Sequence, residues 1–440
     1  MFIENILINL LLINFFLPLA FLNKRFFYIN FPFLLSILYF AYIYFSVGSF
    51  DFLTVNSLWW FFLILMGLNV NTNFNYWEWW LTLTFVLIGL NILLSGFLFN
   101  FLGLFMILEL QAMIFLILVQ ADTFSLVGVE SSAKWAILNA LFSLFLITGF
   151  VLAYIATGTI NFVDIYFLDI NEDFYLIVGI ILLVSSLLFK IALPPFHFWL
   201  PDVYENSNFI LIILLIGPLK LFYIIFFSYL ISLQSSINNA LFYFGILSII
   251  TGFFLSLNQL TIKKFLAWTG IFYFGVFILI LNSLTLENLF ILKLYVIIYI
   301  FSSYFLVSYV KFGFTKLSDL MFLFNDNLFS ALVLLGIIMI IIGLPIISGF
   351  FGKLIFYYSL IVNSSSFLYI LIILFFTSFA FYYYLTILIY GLSIKPYSTN
   401  VILLNNYSVK ANVFIYFLFL LNFLLFLFPS NFSLLFLYFN

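Results

Sequence analysis

Residues 187–205, "LLFKIALPPFHFWLPDVYE", place a lysine, two consecutive prolines and the only histidine of the chain within a hydrophobic run. Proline removes a backbone donor and interrupts a helix, and a charged side chain in hydrocarbon is costly. Both features survive at membrane depth only where protein or a hydrated cavity surrounds them. The stretch therefore predicts a membrane helix that is broken after Lys190, where freed backbone carbonyls and water can reach the lysine.

The composition of the whole chain also predicts a membrane protein. Of its 440 residues, 67% are hydrophobic and only 6% are charged, whereas a soluble domain of this length needs far more charge to cover its surface. Apolar segments of about 20 residues, the length that crosses a bilayer core as a helix, recur from end to end. We therefore predict an all-α polytopic membrane protein. Its first apolar segment is kept as a span because no small-residue cleavage site follows it.

The apolar runs predict about 14 transmembrane helices. Their bounds are 5–22, 27–46, 55–70, 77–96, 99–120, 134–156, 174–200, 209–232, 238–257, 265–283, 288–309, 328–350, 366–391 and 412–436. The third run is short, so 13 is the alternative count.

Basic loops decide between the two counts. They follow spans 1, 9, 11 and 13 and contain Lys24, Arg25, Lys263, Lys264, Lys311, Lys316, Lys395 and Lys410. With 14 spans, all of these loops lie on one side of the membrane. The positive-inside rule therefore favours 14 spans, with both termini outside and the basic loops facing the matrix or cytoplasm.

Two spans contain internal breaks, at Pro194-Pro195 in span 7 and at "GLPIISGFFGK" around Pro345 in span 12. They lie five spans apart, and because five is odd, a repeated five-helix unit would have inverted topology. Paired broken helices in inverted repeats indicate an ion or substrate path. The predicted units are helices 1–3 in 1–76, a first repeat of helices 4–8 in 77–232, a second repeat of helices 9–13 in 233–392, and a loop with helix 14 in 393–440.

Ionisable residues occupy several predicted spans, where they usually face a bundle interior or a hydrated path. They are Glu109, Lys190, Lys220 and Lys353, with Lys134 at the start of span 6. Burial disfavours the charged form of both residue types, so such groups can exchange protons near neutral pH. His197 could belong to the same series of proton-exchanging groups, because imidazole is the side chain that titrates nearest to neutral pH. The sequence thus predicts an internal proton path.

Some of these residues also have a plainer interpretation. An ammonium near a span end can extend to the membrane surface, which applies to Lys134 and Lys293. Glu109 could serve only as a counter-ion that holds helices together, and His197 could be a hydrogen-bonded packing residue. The sequence shows no catalytic triad, metal-ligand cluster or phosphate-binding glycine loop. Because it has no cysteine, disulfides, iron–sulfur clusters and thiolate zinc sites within the chain are excluded.

Six motifs, taken in order, resemble the antiporter-like subunits of respiratory complex I across roughly residues 77–391. These are "LELQAM", "ESSAKWAILNA", "FKIALPPFHFWLPDVYE", "GPLKLF", "IKKFLAWTGI" and "GLPIISGFFGK". The "PDVYE" ending and the lysine at position 353 most resemble the branch formed by subunit 2 and the bacterial N subunit. The chain departs from the family at Asn206, where the family has glycine, in its first 70 residues, and at Tyr273 or a neighbour, which stands where the family often has histidine. Tyrosine and water would have to serve there.

The resemblance implies a proton-translocating membrane-arm subunit of NADH:ubiquinone oxidoreductase that has no redox centre of its own. The residues that it implies for the proton path are Glu109, Lys134, Lys190, His197, Lys220 and Lys353. NAD, FMN, iron–sulfur clusters and ubiquinone would be bound by other subunits. Expected partners are other membrane-arm subunits, including antiporter-like subunit 4, and lipids such as cardiolipin, but not nucleic acid.

Residue usage bears on location. The chain has 68 phenylalanines and 28 tyrosines, and both amino acids have A/T-rich codons, which is typical of an AT-biased organelle genome. With the resemblance, this predicts a multi-pass protein of the mitochondrial inner membrane that is encoded by the mitochondrial genome. Two alternatives remain open: a Mrp-type cation/proton antiporter subunit, and a structural membrane subunit with no proton path of its own.

Overall fold

Long apolar helices make up most of what the computed structural model describes. The described residues are 101–120, 126–159, 161, 174–207, 209–216, 223, 236–281, 299, 303, 316–317, 328–343, 353, 357 and 367–393. All of them belong to one compact unit. Predicted spans 1–4 and 14 lie outside these residues, and so does Lys220.

The helices of the described part follow the predicted spans. They are α1 Phe101–Gln120, α2 Leu126–Thr157, α3 Phe174–Ile191, α4 Trp199–Asn206, α5 Phe209–Ile216, α6 Ser236–Leu257, α7 Ile262–Leu281, α8 Leu328–Ile342 and α9 Phe367–Ser393. Four segments within them, in α2, α3, α6 and α7, are long and apolar enough to cross a membrane by length and composition. The count of 14, the repeat boundaries and their inverted relation stay predictions.

The sixth predicted span was placed too late in the sequence. Its helix begins at Leu126, whereas the hydrophobic run predicted a start at residue 134. An ion pair of 2.8 Å joins Glu130 to Lys134 one turn later on the exposed side of the helix. Ion pairs between residues i and i+4 stabilise a helical turn. A prediction that counts only apolar residues does not detect such a turn.

Helices α2 and α3 approach closely at two glycines. A Cβ atom at Gly149 would lie 2.8 Å from the carbonyl oxygen of Gly179, and one at Gly179 would lie 2.9 Å from that of Gly149. Only glycine permits backbones to come this near, as is common where membrane helices cross. The crossing fixes α3, and with it Lys190, against α2.

Helix α7 occupies the centre of the described part. Every residue from Phe265 to Leu281 is buried, as expected of a helix that is apolar on all sides. Both α6 and the short α4 pack against it. In contrast, α2 leaves large apolar side chains such as Leu144 and Ile155 exposed, so this face is suited to lipid or to neighbouring proteins.

The predicted break in span 7 is confirmed, since α3 ends at Ile191 and α4 begins at Trp199. The Ala192 N–H donates to the carbonyl of Phe189 at 2.9 Å, and the Leu193 N–H donates to that of Leu188 at 2.8 Å. These two bonds form a Schellman ending. It is closed by Ala192, which has the left-handed φ of +64°. The helix therefore ends before the two prolines.

The break in span 12 begins at Gly343. The helix α8 ends at Ile342, and Gly343 takes a left-handed φ of +74°. Its N–H donates to the carbonyls of Met339 and Ile340 at 3.0 and 3.1 Å. Glycine after the last helical residue is the usual ending of a helix, because it adopts this conformation without strain. Pro345 lies outside the described residues.

Three loops meet at one end of the unit. Lys264, at the start of α7, forms an ion pair of 2.7 Å with Glu205 at the end of α4. Next to it, Thr261 forms an isolated antiparallel bridge with Lys316. The segments that follow predicted spans 7, 9 and 11 therefore share one end, as both the 14-span and the 13-span counts require. The side of the membrane that this end faces stays a prediction.

Candidate functional site

Glu109 of α1 and Lys190 of α3 meet in the packed interior. The Lys190 Nζ lies 3.5 Å from Oε1 of Glu109 and donates a hydrogen bond of 3.2 Å to the carbonyl oxygen of Leu108. A counter-charge and a carbonyl thus replace the water that the buried ammonium has lost. Lys190 also lies in the last turn of α3, where the helix dipole favours positive charge.

Aromatic packing surrounds the break beside Lys190. Phe142 of α2 stacks on Phe189 with ring centroids 4.4 Å apart, and its ring also meets that of Phe196 at 4.7 Å. The indole of Trp199 donates to the Phe189 carbonyl at 3.2 Å. These ring contacts and this hydrogen bond hold the end of α3 and the start of α4 against each other.

The carbonyl group that accepts the hydrogen bond from Lys190 belongs to a different helix from the one that we expected. The sequence suggested that carbonyls freed by the proline break would reach the lysine. Instead, the Phe189 carbonyl accepts the Ala192 N–H and the Trp199 indole, and Lys190 binds Leu108 of α1. The reason is geometric: helical side chains lean toward the N-terminus, so Lys190 extends away from the break.

His197 lies in the non-helical segment between α3 and α4 and is only 4% exposed. Its ring centroid is 4.3 Å from that of Phe198 and 5.5 Å from that of Trp268 on the central helix α7. The histidine therefore connects the first break to α7. These ring contacts are also what the packing interpretation requires, so the geometry fits both roles.

Lys353 follows α8 in the sequence, and its side chain reaches back to the end of that helix. Its Nζ donates a hydrogen bond of 2.7 Å to the carbonyl oxygen of Ile342. On the neighbouring residue, the carbonyl oxygen of Ile341 accepts a hydrogen bond of 2.9 Å from the Tyr273 hydroxyl. The last carbonyls of a helix have no intrahelical partner, so the ammonium and the hydroxyl satisfy two of them.

Lys134 lies apart from the buried residues. Half of its side chain is exposed, and Nζ contacts Glu130 at 2.8 Å and Asp202 at 3.2 Å. In the isolated chain, this placement favours the interfacial interpretation of Lys134. Asp202 was missed by sequence reasoning, although the two acids of "PDVYE" following a helix break are a signal for partners of nearby lysines.

The structure thus brings together Glu109 and Lys190, and it places the His197 ring against α7. The Lys353 ammonium lies at the end of α8, which Tyr273 of α7 also contacts. Lys220 lies outside the described residues. Tyr223, three positions later, is buried. The candidate site consists of an ion pair between the buried Lys190 and the partly exposed Glu109 of α1, a buried imidazole and the half-buried ammonium of Lys353.

These features define a multi-pass membrane protein with ionisable side chains in its interior. They are an interrupted apolar helix, a lysine–glutamate pair beside the break, and further long apolar helices around it. The family described as "NADH:quinone oxidoreductase/Mrp antiporter, TM" matches residues 99–380. The match covers more than half of the chain, and the chain belongs to this family.

Curated relatives agree with the branch that "PDVYE" indicated. NADH-quinone oxidoreductase subunit N of the Wolbachia of Brugia malayi is 29% identical over 287 residues, covering 63% of this chain and 61% of the relative. NADH-ubiquinone oxidoreductase chain 2 of Dictyostelium citrinum is 28% identical over 283 residues, covering 58% and 55%. The chain therefore spans about three fifths of the length of these relatives.

The fold is found in a solved respiratory complex. A chain of the respiratory complex I from Thermus thermophilus with bound aureothin superposes with a TM-score of 0.77, at 21% identity, and 91% of each chain is covered. At this identity the likeness shows the fold. It supports the antiporter-like helical architecture.

Proposed function

We propose that this chain is a proton-translocating membrane-arm subunit of NADH:ubiquinone oxidoreductase, in the place of subunit N or chain 2. The observation that carries the proposal is the Glu109–Lys190 pair of 3.5 Å, buried just before a helix break in a chain of this family. A structural ion pair needs no break beside it. A relay does, since protons must reach the lysine and leave it.

The proposed chemistry is an exchange of protons between buried groups. The carboxylate of Glu109 stabilises the Lys190 ammonium, and loss of that negative charge favours release of the proton. His197 and Lys353 would receive protons farther along, with Lys220 between the two halves as the resemblance implies. Lys134, which contacts Asp202 at the end of the unit, would exchange protons with the outer part of the path.

The redox chemistry is proposed for other subunits of the complex, which would bind NAD, FMN, iron–sulfur clusters and ubiquinone. Partners would be neighbouring membrane-arm subunits, antiporter-like subunit 4 among them, and lipids such as cardiolipin. The proposed location is the mitochondrial inner membrane, with mitochondrial encoding. The residue usage and the Dictyostelium relative support this, although most of the relatives compared are bacterial.

The test is to purify the tagged chain from its native membranes in mild detergent. We expect flavin and iron–sulfur subunits in the mass-spectrometric inventory, and NADH-driven proton pumping after reconstitution. A complex made only of membrane subunits, with cation/proton exchange but no NADH oxidation, would instead establish the Mrp-type alternative that the family description includes.

The structural alternative is tested in the same preparation. Lys190→Met removes the ammonium from the path while keeping an unbranched apolar side chain. If the subunit carries protons, the assembled variant should translocate fewer protons per electron. An unchanged ratio would show that the charges only hold helices in register.

A further inference from the structure

Gln111 of α1 carries a carboxamide that is buried without a hydrogen bond in the described part of the chain. The residue is 2% exposed, and neither its amide nitrogen nor its amide oxygen has a partner among the residues that the structure describes. A carboxamide has two N–H donors and two acceptor lone pairs, and burial without hydrogen bonds is costly. Native interiors satisfy such groups with bound water where protein atoms do not. The carboxamide therefore indicates a small polar ligand in the core.

Gln111 belongs to the buried face of α1. Buried residues of this helix recur every three or four positions, as expected of one helical face; they include Leu104, Leu108, Gln111 and Phe115. Gln111 is the one polar residue of these four. It therefore lies on the side of α1 that packs inside the protein, the side to which Leu108 also belongs.

The backbone of α1 brings Gln111 next to Lys190. In an α-helix, the side chain of residue i+3 leaves the backbone beside the carbonyl oxygen of residue i. On α2, for example, the Ser131 hydroxyl donates to the Gly128 carbonyl at 2.9 Å. Gln111 stands in this relation to Leu108, whose carbonyl oxygen lies 3.2 Å from the Lys190 Nζ. The carboxamide and the ammonium thus approach one carbonyl from two helices, without a direct hydrogen bond between them.

Aromatic rings close this face of α1 one turn beyond Gln111. The ring centroid of Phe115 lies 4.5 Å from that of Trp135 on α2 and 6.2 Å from that of Trp199 on α4. All three aromatic residues are at most 5% exposed. Gln111 therefore lies between an aromatic layer and the carbonyl that binds Lys190. A molecule held there is shielded on one side and has the ammonium as a polar neighbour on the other.

On the basis of the proposed function, we infer that Gln111 holds a water molecule against Lys190 and is a positioning residue of the proton path. The water donates to the Gln111 carbonyl oxygen and accepts an N–H of the ammonium, which has three donors. A neutral ligand fits because the carboxamide is uncharged and the lysine is already paired with Glu109. This site lies on the α1 side of Lys190, away from the prolines, and it hydrates the lysine where its side chain extends.

The direct test is a cryo-electron-microscopy map of the assembled complex at a resolution that shows ordered water. We expect density for a water molecule within hydrogen-bond distance of both the Gln111 carboxamide and the Lys190 Nζ. A map in which no water joins these two groups, or in which a protein side chain takes its place, would overturn the inference.

Gln111→Met tests whether this water matters for transport. Methionine keeps an unbranched side chain of similar length and has no amide, so the water loses its holder. We expect redox-driven proton translocation per electron to fall about tenfold at equal amounts of assembled complex, the equivalent of one lost hydrogen bond to a charged group.

Gln111→Asn separates water binding from packing. Asparagine keeps the carboxamide on a side chain that is one methylene shorter, so it should retain the water and pump better than Gln111→Met. A residue that only fills space would give the opposite order, because methionine matches the volume of glutamine more closely than asparagine does. That opposite order would count against the inference.

The matched control is Gln259→Met in the loop after α6, because the Gln259 amide already donates to the Leu255 carbonyl at 2.9 Å. This variant should pump normally. Normal pumping in Gln111→Met together with loss of pumping in Lys190→Met would overturn the role of Gln111 alone. Normal pumping in Lys190→Met would overturn the proposed function itself.

Discussion

Glu109 and Lys190 form an ion pair in which the two partners are unequally buried. The lysine side chain is 4% exposed, whereas that of the glutamate is 22% exposed. The carboxylate therefore lies at the edge of the packed core and the ammonium lies inside it. Because the carboxylate is the counter-charge of the ammonium, its charge state affects that of the lysine.

The first prediction follows from this control. Glu109→Gln keeps the shape of the side chain and removes its charge, so Lys190 loses its counter-ion and favours its neutral form. We expect reduced proton pumping and reduced coupled quinone reductase activity in a complex that still assembles. Both are measured in reconstituted vesicles.

The control for this variant is Glu130→Gln, because that carboxylate is 63% exposed. Lys134 keeps Asp202 as a second partner when the Glu130 carboxylate is neutralised, so the control should keep its activity. Normal coupled activity in assembled Glu109→Gln would favour the counter-ion role over the relay role.

The second prediction concerns the end of α3. Ala192 has a φ of +64°, a conformation that costs a non-glycine residue roughly 1–2 kcal/mol. Ala192→Gly should therefore stabilise the protein by about 1 kcal/mol, even though glycine is more flexible when unfolded. The measurement is the midpoint of thermal unfolding in detergent.

Ala153→Gly is the matched control, since Ala153 lies inside α2 and is buried. Glycine in a helix interior costs about 1 kcal/mol relative to alanine, so the shift should have the opposite sign. If both variants are destabilised alike, the left-handed ending at Ala192 does not exist in the folded protein.

The third prediction concerns orientation. The chain contains no cysteine, so a single introduced cysteine is the only thiol that can be labelled on this chain once it is isolated after the reaction. Lys316→Cys, in the loop bridged to Thr261, should react with a membrane-impermeant maleimide only from the matrix or cytoplasmic side. Asn161→Cys, beyond the far end of α2, should react only from the opposite side. Labelling of Lys316→Cys in sealed mitoplasts would overturn the predicted orientation.

The break in span 7 was predictable because its residues fit a single kind of structure. Two prolines, a lysine and a histidine in one apolar run are compatible with a broken membrane helix and with little else. The second break was predictable for a similar reason, since Gly343 stands just where α8 ends.

The partners of the site residues were not predictable from the sequence. Nothing in the order of residues shows that Lys190 would bind the Leu108 carbonyl, because that contact depends on how α1 packs. The left-handed Ala192 gave no signal either, since glycine is the usual residue at that position. Periodicity also failed to show that Asp202 would reach Lys134, because the two lie on different helices.

The last prediction asks whether Lys190 acts by its charge or by its titration. Lys190→Arg keeps a positive charge beside Glu109, but a guanidinium does not release its proton near neutral pH. If the site relays protons, Lys190→Arg should lose pumping together with Lys190→Met, each on the order of tenfold or more. His197→Ala should have a milder effect, because a water molecule can replace an imidazole more readily than a buried ammonium. Proton uptake per electron is compared at equal amounts of assembled complex, so that any misfolding caused by the larger guanidinium is excluded. Full pumping by Lys190→Arg would show that a fixed charge satisfies the site, and the relay role of Lys190 would then be wrong.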